Sequence, residues 1–204
     1  MNSERDQFIE YFNLDSSQIE KFDIYVSLLL KWQKTINLIA PSTKDHIWSR
    51  HFYDSGQLAL LAPDAKKWID MGSGAGFPAL VCAILFGDKA EFHLIESDQR
   101  KCAFLRTVSR ETSLHVHVHN NRIEEIIGDF SSVDIISARA LAPLKQLIDF
   151  SRPLLEEGGR GLFLKGQDVV SELTEITINS RLNIELIKSQ TSNQSRIVDV
   201  RLTL

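Results

Sequence analysis

Three glycines at alternating positions follow a short apolar segment and lead directly into a second one. They lie in residues 70–76, which read Asp-Met-Gly-Ser-Gly-Ala-Gly. Glycine allows the backbone to turn tightly and to approach a ligand closely. The N-terminus of a helix that follows such a turn presents free N–H groups to a carboxylate or a phosphate. The sequence therefore predicts a ligand-binding loop after a first strand.

The glycine spacing excludes two common nucleotide-binding motifs. A dinucleotide-binding fingerprint needs glycine or alanine three residues after the second glycine, where helix and strand pack closely. This chain has Phe77 at that position. The chain also lacks the G-x-x-x-x-G-K-[ST] pattern of a phosphate-binding P-loop. What remains is a D-x-G-x-G-x-G loop beginning at Asp70.

Polar residues also follow the next two apolar segments. Glu96 ends the second segment about 20 residues beyond the loop, where a carboxylate can accept hydrogen bonds from both hydroxyls of a ribose. Residues 120–124 (Asn-Asn-Arg-Ile-Glu) follow the third segment, and there Ile123 beside Glu124 is suited to bracketing an adenine. The alternative is that Glu96 and Glu124 are solvated loop carboxylates.

The elements that must position these residues fall into two regions. Residues 1–63 show helical spacing, with one amphipathic helix over residues 17–37 that begins at a Ser17/Glu20 capping box, and a second over residues 44–61. Residues 64–204 alternate short apolar runs with helical patterns, which is typical of right-handed βαβ units and a parallel sheet. The expected strands are 67–71, 91–96, 114–119, 133–137, 161–165, 183–188 and 196–204; the expected helices are 77–86, 101–110, 122–127, 143–155 and 167–180. The last two strands are too close for a crossover helix, so we expect an antiparallel hairpin.

The composition sets further bounds on this chain of 204 residues. It is 43% hydrophobic and 25% charged, which is typical of a globular protein. The formal net charge of −4 provides no overall positive field, so a nucleic-acid site has to be a local patch. The two cysteines lack CxxC spacing, and no apolar run is long enough to span a bilayer. We therefore expect a cytoplasmic protein without a membrane anchor.

The D-x-G-x-G-x-G loop resembles motif I of the class I S-adenosylmethionine-dependent methyltransferases. Five segments sharpen the resemblance, and together they are similar to the RsmG family, also called glucose-inhibited division protein B: residues 50–55 (RHFYDS), 70–78 (DMGSGAGFP), 100–105 (RKCAFL), 137–140 (SARA) and 164–166 (LKG). The similarity runs from the N-terminal helices to the final strand. It implies a Rossmann-like α/β fold, with sheet order 3-2-1-4-5-7-6, an antiparallel seventh strand and an N-terminal helical extension.

The resemblance also implies an activity and a set of contacts. The family methylates guanine N7 in the 530 loop of 16S rRNA, in the small ribosomal subunit, and converts S-adenosylmethionine to S-adenosylhomocysteine. It places cofactor contacts at Gly72, Phe77, Ile123, Glu124 and Arg139. With the residues singled out by the loop and the second strand, Asp70, Gly74, Gly76 and Glu96, these are the expected cofactor-binding residues.

The expected chemistry needs alignment rather than a proton acceptor, because methyl transfer from a sulfonium is a direct displacement. Enzymes that methylate exocyclic amines resemble one another in a [DN]-P-P-[YFW] motif, whereas this chain has residues 137–140 (SARA) there. Guanine N7 carries a free lone pair and no proton, so we assign no catalytic acid or base. Arg139 and Lys165 are candidates for positioning. Arg139 could bind the methionine carboxylate, a phosphate or guanine O6, or could instead pair with an aspartate.

Several basic residues are candidates for contact with RNA. The expected contacts are Arg50, His51, Arg100, Lys101 and Lys165, and His51 could equally serve in helix packing. His115, His117 and His119 alternate along one strand, and an H-x-H pair can hold zinc. Because no carboxylate or cysteine at ligand spacing completes a site, we expect no metal.

Two other functions remain open at this point. One is a methyltransferase for a small molecule or a protein, with the N-terminal helices as a lid. The other is a cofactor-sensing module without catalysis. For the function that the resemblance implies, we expect a monomer.

Overall fold

Short apolar runs bounded by turn residues form one seven-stranded sheet. A computed structural model describes residues 3–174, 176 and 181–203. The strands in this part of the chain are β1 (Lys67–Met71), β2 (Glu91–Ile95), β3 (Val116–His119), β4 (Ile135–Arg139), β5 (Arg160–Lys165), β6 (Leu182–Lys188) and β7 (Arg196–Leu202). Their order is β3-β2-β1-β4-β5-β7-β6, which confirms the expected fold class and strand order.

The pairing directions place the strand ends that matter for binding at one edge. β1 to β5 run parallel to one another, and β7 runs antiparallel to both β5 and β6. The antiparallel hairpin of β6 and β7 is therefore confirmed. Because the carboxyl ends of parallel strands meet at one edge, the glycine loop after β1 and Glu96 after β2 lie side by side.

Helices cover both faces of the sheet, and in the part of the chain that the structure describes, three α-helices precede its first strand. They are α1 (Glu4–Phe12), α2 (Ser16–Trp32), α3 (Asp54–Leu61), α4 (Ala79–Phe86), α5 (Gln99–Glu111), α6 (Ile123–Ile126), α7 (Leu144–Glu156) and α8 (Val169–Thr174). The expected last helix extends to residue 180, and its end lies outside the described residues. Within the described residues, no helix has the length and apolar character needed to cross a membrane.

The N-terminal region differs from expectation in several details. α1 was not predicted, and α2 ends at Trp32 rather than at residue 37. The helix expected over residues 44–61 is three helical segments: a 3₁₀ helix (Pro41–His46), a π-helix (Trp48–Tyr53) and then α3. Apolar spacing does not separate these helix types over six residues. The capping box of α2 is also two residues earlier than predicted. Asp15 accepts from the Gln18 amide at 2.8 Å, because the helix begins at Ser16.

The core consists of two apolar clusters, one on each face of the sheet. One cluster joins N-terminal residues such as Phe8, Phe22 and Leu29 to α4, α5 and the sheet residue Trp68. The other lies under α7 and α8. Each fully buried Phe or Leu side chain stabilises the fold by about 1.5–3 kcal/mol. Because the first cluster contains residues of both regions, residues 1–63 share a core with residues 64–204.

Candidate cofactor and nucleic-acid site

The glycine loop after β1 has a backbone that requires glycine. Gly72 has φ +67°, and a Cβ atom there would lie 2.5 Å from Leu141 Cδ1. Gly74 has φ +54°, but a Cβ atom there would meet only Gly72 O, at 3.8 Å. Gly72 is thus needed for packing, whereas Gly74 leaves space open for a ligand beside the backbone.

The N-terminal helices hold this loop in place. Tyr25 of α2 is fully buried, and its hydroxyl donates to the Ala75 carbonyl. Its ring stacks on Phe77 with 5.5 Å between centroids. Burial, followed by the nearby charge of Asp70, raises the pKa of Tyr25 well above its usual value. The hydroxyl therefore remains a donor throughout the physiological range.

Glu96 closes the loop from the neighbouring strand. Its Oε2 accepts from the Gly74 amide at 2.8 Å, and its Oε1 accepts from the Asp98 amide at 2.8 Å. Only 7% of the residue is exposed. Because each carboxylate oxygen has two lone pairs, both oxygens can still accept from a ligand. The backbone thus holds a carboxylate in one orientation at the carboxyl end of β2.

Asp70 lies beneath the loop rather than in the binding surface. It is fully buried, and its Oδ1 accepts from the Ser137 hydroxyl at 2.6 Å. Oδ2 has no hydrogen-bond partner among the described residues. Burial first, and the charge of Glu96 after it, raise the pKa of Asp70 to about 7, against the opposing effect of Ser137. The hydrogen bond with Ser137 links β1 to β4 directly before the loop.

A cavity of about 600 Å³ opens where the carboxyl ends of β1, β2 and β4 meet. Most of the expected cofactor residues line it: Gly72, Gly74, Phe77, Glu96, Ile123, Glu124 and Arg139, joined by His51 and Lys101. Asp70 and Gly76 are absent from the lining. Sequence reasoning missed residues that the N-terminal segment and α7 contribute, namely Leu38, Ile39, Thr43, Gln146 and Phe150. The only signal of Leu38, Ile39 and Phe150 is apolar character, which core residues share, and Thr43 and Gln146 belong to no motif in the sequence.

Arg139 ends β4 and lies on the wall of this cavity. Its Nη2 donates to the Arg50 carbonyl at 2.8 Å, and its guanidinium lies 5.7 Å from the centre of the Phe77 ring. Nη1 is buried and has no partner among the described residues. Burial lowers the pKa of Arg139 while the Asp54 charge opposes that effect. No ion pair among the described residues includes this guanidinium, so it has a donor to offer a ligand.

A second cavity of about 220 Å³ adjoins the first and shares Arg139 and Ala140 with it. Arg50, Asp54 and Lys165 also line it. Lys165 Nζ lies 2.8 Å from Glu172 Oε2 and donates to the Ala142 carbonyl at 3.0 Å. Its charge is therefore already paired within the wall, which argues against the free phosphate contact considered for Lys165.

His51 is a wall residue rather than an exposed rim residue. It is 6% exposed and stacks on Phe77 with 4.9 Å between ring centroids. Its Nε2 lies 2.8 Å from Thr43 Oγ1. Burial, with the charges of Arg139 and Arg50, lowers the pKa of His51 to about 3. The ring is neutral at physiological pH and offers a flat surface beside the cavity.

The remaining expected RNA contacts lie on the outer surface near the same edge. Arg100 is in the first turn of α5, and its side chain is 73% exposed, 3.8 Å from Asp98. Lys101 follows it and reaches the larger cavity. The basic residues Arg50, Lys101 and Arg139 thus line the two cavities, and Arg100 precedes Lys101 in α5.

Comparison with known proteins gives the same fold and a family. The GidB family model, described as rRNA small subunit methyltransferase G, matches residues 18–198. Ribosomal RNA small subunit methyltransferase G of Methylorubrum populi is 46% identical over 198 residues, covering 96% of this chain and 94% of the relative. The protein of the same name from Bradyrhizobium sp. strain BTAi1 is 50% identical over 184 residues, covering 89% and 83%.

Solved structures share the architecture at low sequence identity. The SAH-bound methyltransferase PaMTH1 of Podospora anserina has a TM-score of 0.63 and 12% identity, covering 89% of this chain and 88% of that one. TrmN of Thermus thermophilus has a TM-score of 0.58 and 19% identity, covering 76% and 53%. At this level of identity the likeness establishes the fold.

Proposed function

The chain belongs to the GidB family of small-subunit rRNA methyltransferases, and on this premise we propose how its two cavities transfer a methyl group from S-adenosylmethionine to guanine N7 of 16S rRNA. The observation that carries the proposal is the shared wall. The larger cavity has the glycine loop and Glu96, and Arg139 joins it to a smaller cavity with a basic rim. One compartment suits the methyl donor and the other the acceptor base.

The larger cavity fits the nucleoside part of the donor. Glu96 is held by two backbone amides with lone pairs to spare, which suits the two ribose hydroxyls. The open space at Gly74 allows the ligand to lie against the backbone. Ile123 and Glu124 line the same cavity, with an apolar surface and an acceptor for an adenine.

Arg139 acts at the junction of the two compartments. Its unpartnered Nη1 is a buried donor, and leaving such a donor unsatisfied costs about 1–3 kcal/mol. An acceptor oxygen on a ligand would recover that cost. Phe77 stacks against His51, and the Arg139 guanidinium lies over the Phe77 ring. These contacts keep the guanidinium in one position. We propose that Arg139 aligns donor and acceptor with each other and binds no proton in the reaction.

The chemistry requires no general base from the protein. S-adenosylmethionine supplies an electrophilic methyl group when bound. The N7 lone pair would form the new bond to that methyl group, the electron pair of the carbon–sulfur bond would stay with sulfur, and the positive charge would pass to the guanine ring. His51 lines the larger cavity, but its pKa is lowered to about 3, so it would be a poor proton acceptor. The residues therefore contribute by alignment and exclusion of water.

We infer the partner and the compartment from the family and from the cysteines. The substrate is 16S rRNA or the small subunit, and we propose that Arg50, Arg100 and Lys101 contact its backbone. Cys82 and Cys102 are buried and free, which supports the reducing cytoplasm as the place of action.

A transfer assay with labelled S-adenosylmethionine tests the proposal. We expect label in 16S rRNA of subunits from a deletion strain, recovered as 7-methylguanine after digestion. Arg139→Lys should lower the single-turnover rate at least tenfold while changing cofactor affinity far less, because the fork geometry is lost. Lys145→Gln, an exposed residue paired with Asp149, is the control and should leave the rate unchanged.

Three results would contradict the proposal. Label in a small acceptor or a protein, with a rate insensitive to salt, would indicate the first alternative function. Tight cofactor binding without any transfer would indicate a sensing module. An Arg139→Lys variant with the full rate would remove Arg139 from the junction.

A further inference from the structure

Histidines and a carboxylate from two neighbouring strands meet on one face of the sheet, away from the two cavities. His93 of β2 is the register partner of His117 in β3, and Glu91 begins β2 on the same face. The sequence expectation that no carboxylate accompanies the histidines of β3 was wrong. It considered spacing along one strand, whereas Glu91 and His93 come from the strand beside it.

The donor atoms are spaced as metal ligands are. His93 Nε2 lies 3.1 Å from Glu91 Oε1, and His117 Nε2 lies 3.3 Å from the same oxygen. The ligand atoms of all three residues lie within 4.8 Å of one another. A tetrahedral zinc site with bonds of about 2.0–2.1 Å has edges of roughly 3.3 Å. Two of the three ligand separations thus match a tetrahedron. The His93 and His117 rings are stacked, with 4.8 Å between centroids, so the exposed His117 ring has to turn for its Nε2 to face the same ion.

The orientation of His93 supports the same interpretation. Its Nε2 is buried and has no hydrogen-bond partner among the described residues, although the Glu91 oxygen is 3.1 Å away. An N–H bond on His93 Nε2 would therefore not point at the Glu91 carboxylate. On the other side of the ring, His93 Nδ1 lies 3.0 Å from His119 Nε2. A proton on Nδ1 directed at His119 leaves the Nε2 lone pair free, as in ligating histidines fixed by an outer partner.

We propose that Glu91, His93 and His117 form a binding site for a divalent transition metal of the zinc type. Two imidazoles and one carboxylate are a donor set that zinc accepts, with a fourth position for water. Glu91 and His117 have side chains 48% and 56% exposed, so an ion can enter from solvent. His119 is a positioning residue that orients the His93 ring.

The site has a structural consequence for the sheet. β3 is the last strand at its edge and pairs only with β2 in the described sheet. An ion bound to residues of both strands would link β2 and β3 by metal–ligand bonds, in addition to the backbone hydrogen bonds between them. Because the ion binds the folded chain, it raises the stability of the fold by mass action.

Calorimetric titration of the full-length, chelator-treated protein with zinc chloride tests this site. We expect one saturable ion per chain. Glu91→Gln and His117→Asn change exposed side chains, so the fold should stay intact, and each should weaken zinc binding at least tenfold. His119→Asn should weaken it roughly 10- to 100-fold through the orientation of His93. The matched control is His46→Asn, an exposed histidine outside the cluster that lies 2.9 Å from Glu4, and it should bind as the parent does.

Thermal unfolding with and without zinc gives a second measurement. The ion should raise the midpoint for the parent and for His46→Asn, and not for His117→Asn. The proposal is overturned if the parent shows no saturable binding, or if the Glu91 and His117 variants bind zinc as tightly as the parent.

Discussion

Glu96 is the residue that we propose as the acceptor for the two ribose hydroxyls of the cofactor. Replacing it with alanine removes that proposed acceptor and also the partner of the Gly74 and Asp98 amides. Losing the whole hydrogen-bonded contact to this charged group should cost about 1.5–3 kcal/mol, so Glu96→Ala should weaken cofactor binding roughly 10- to 100-fold. Calorimetry with S-adenosylhomocysteine measures this change.

The matched control is Glu111→Ala, which removes an exposed carboxylate at the end of α5 and should leave the affinity unchanged. Equal affinity of Glu96→Ala and the parent would show that this carboxylate does not hold the ribose.

Asp70 makes stability depend on pH. Its pKa is about 7 in the folded protein, whereas an aspartate ordinarily has a pKa of 3.8, the value expected for the unfolded chain. Between these values the unfolded chain releases a proton that the folded chain retains, so this group lowers stability as pH rises. Asp70→Asn has no such proton, and its stability relative to the parent should increase by about 1 kcal/mol per pH unit from roughly pH 5 to 7.

Urea unfolding of both proteins at several pH values across this range and above it measures the difference. Other titrating groups are common to the two proteins and cancel. A constant difference across the range would mean that Asp70 is ionised throughout it.

At the scale of single residues, the sequence indicated where Glu96 lies, directly after the second strand, and the family resemblance pointed to Ile123 after the third. Both line the cavity, and their contacts with the cofactor stay predictions. Sequence reasoning did not separate Asp70 from the loop that follows it, because burial depends on the packing of β4. Nor could it show that Lys165 is paired with Glu172, since that contact joins β5 to α8.

At the scale of elements, the N-terminal helices are part of the main core. Phe22 of α2 is fully buried, and its ring contacts Phe8 of α1 and Phe52 of the π-helix. Phe22→Ala should lower the free energy of unfolding by about 3–5 kcal/mol through the cavity it leaves. Because the core is shared, unfolding should remain one transition for the whole chain.

Denaturant unfolding followed by far-UV circular dichroism and by tryptophan fluorescence measures both points. Leu60→Ala in α3, where the side chain is 53% exposed, is the control and should cost little. Two separate transitions, with only the first shifted in Phe22→Ala, would show that residues 1–63 fold as an independent unit.

The elements of the sheet could be predicted almost completely, whereas the segment before it could not. Strands β1 to β7 have alternating or continuous apolar patterns bounded by turn residues, and right-handed crossovers restrict their order. No comparable rule predicts the helix types in the segment from Pro41 to Tyr53. Its 3₁₀ and π turns depend on tertiary contacts, such as the one between the Arg50 carbonyl and Arg139.

At the scale of the whole molecule, the charge distribution has to attract RNA against a net charge of −4. Binding should therefore depend on a few local phosphate contacts and fall steadily with salt. Arg100→Ala should weaken binding to 16S rRNA and reduce the slope of log K against log salt by about 0.7 to 0.9, the value for one phosphate contact.

Lys89→Ala is the control, since Lys89 is exposed before the amino end of β2, at the opposite edge from the cavities. Filter binding over a range of potassium chloride concentrations measures both slopes. An Arg100 variant with the slope of the parent would remove this residue from the RNA interface.

The central claim is that guanine N7 accepts the methyl group, and one substitution in the substrate tests it most directly. Reconstituted 16S rRNA with 7-deazaguanine at the target keeps the Watson–Crick edge and O6 but has carbon in place of the nucleophilic nitrogen. Single-turnover transfer from labelled S-adenosylmethionine is measured alongside RNA binding. We predict that binding persists and that transfer stops; label in the deaza substrate would show that another atom is the acceptor.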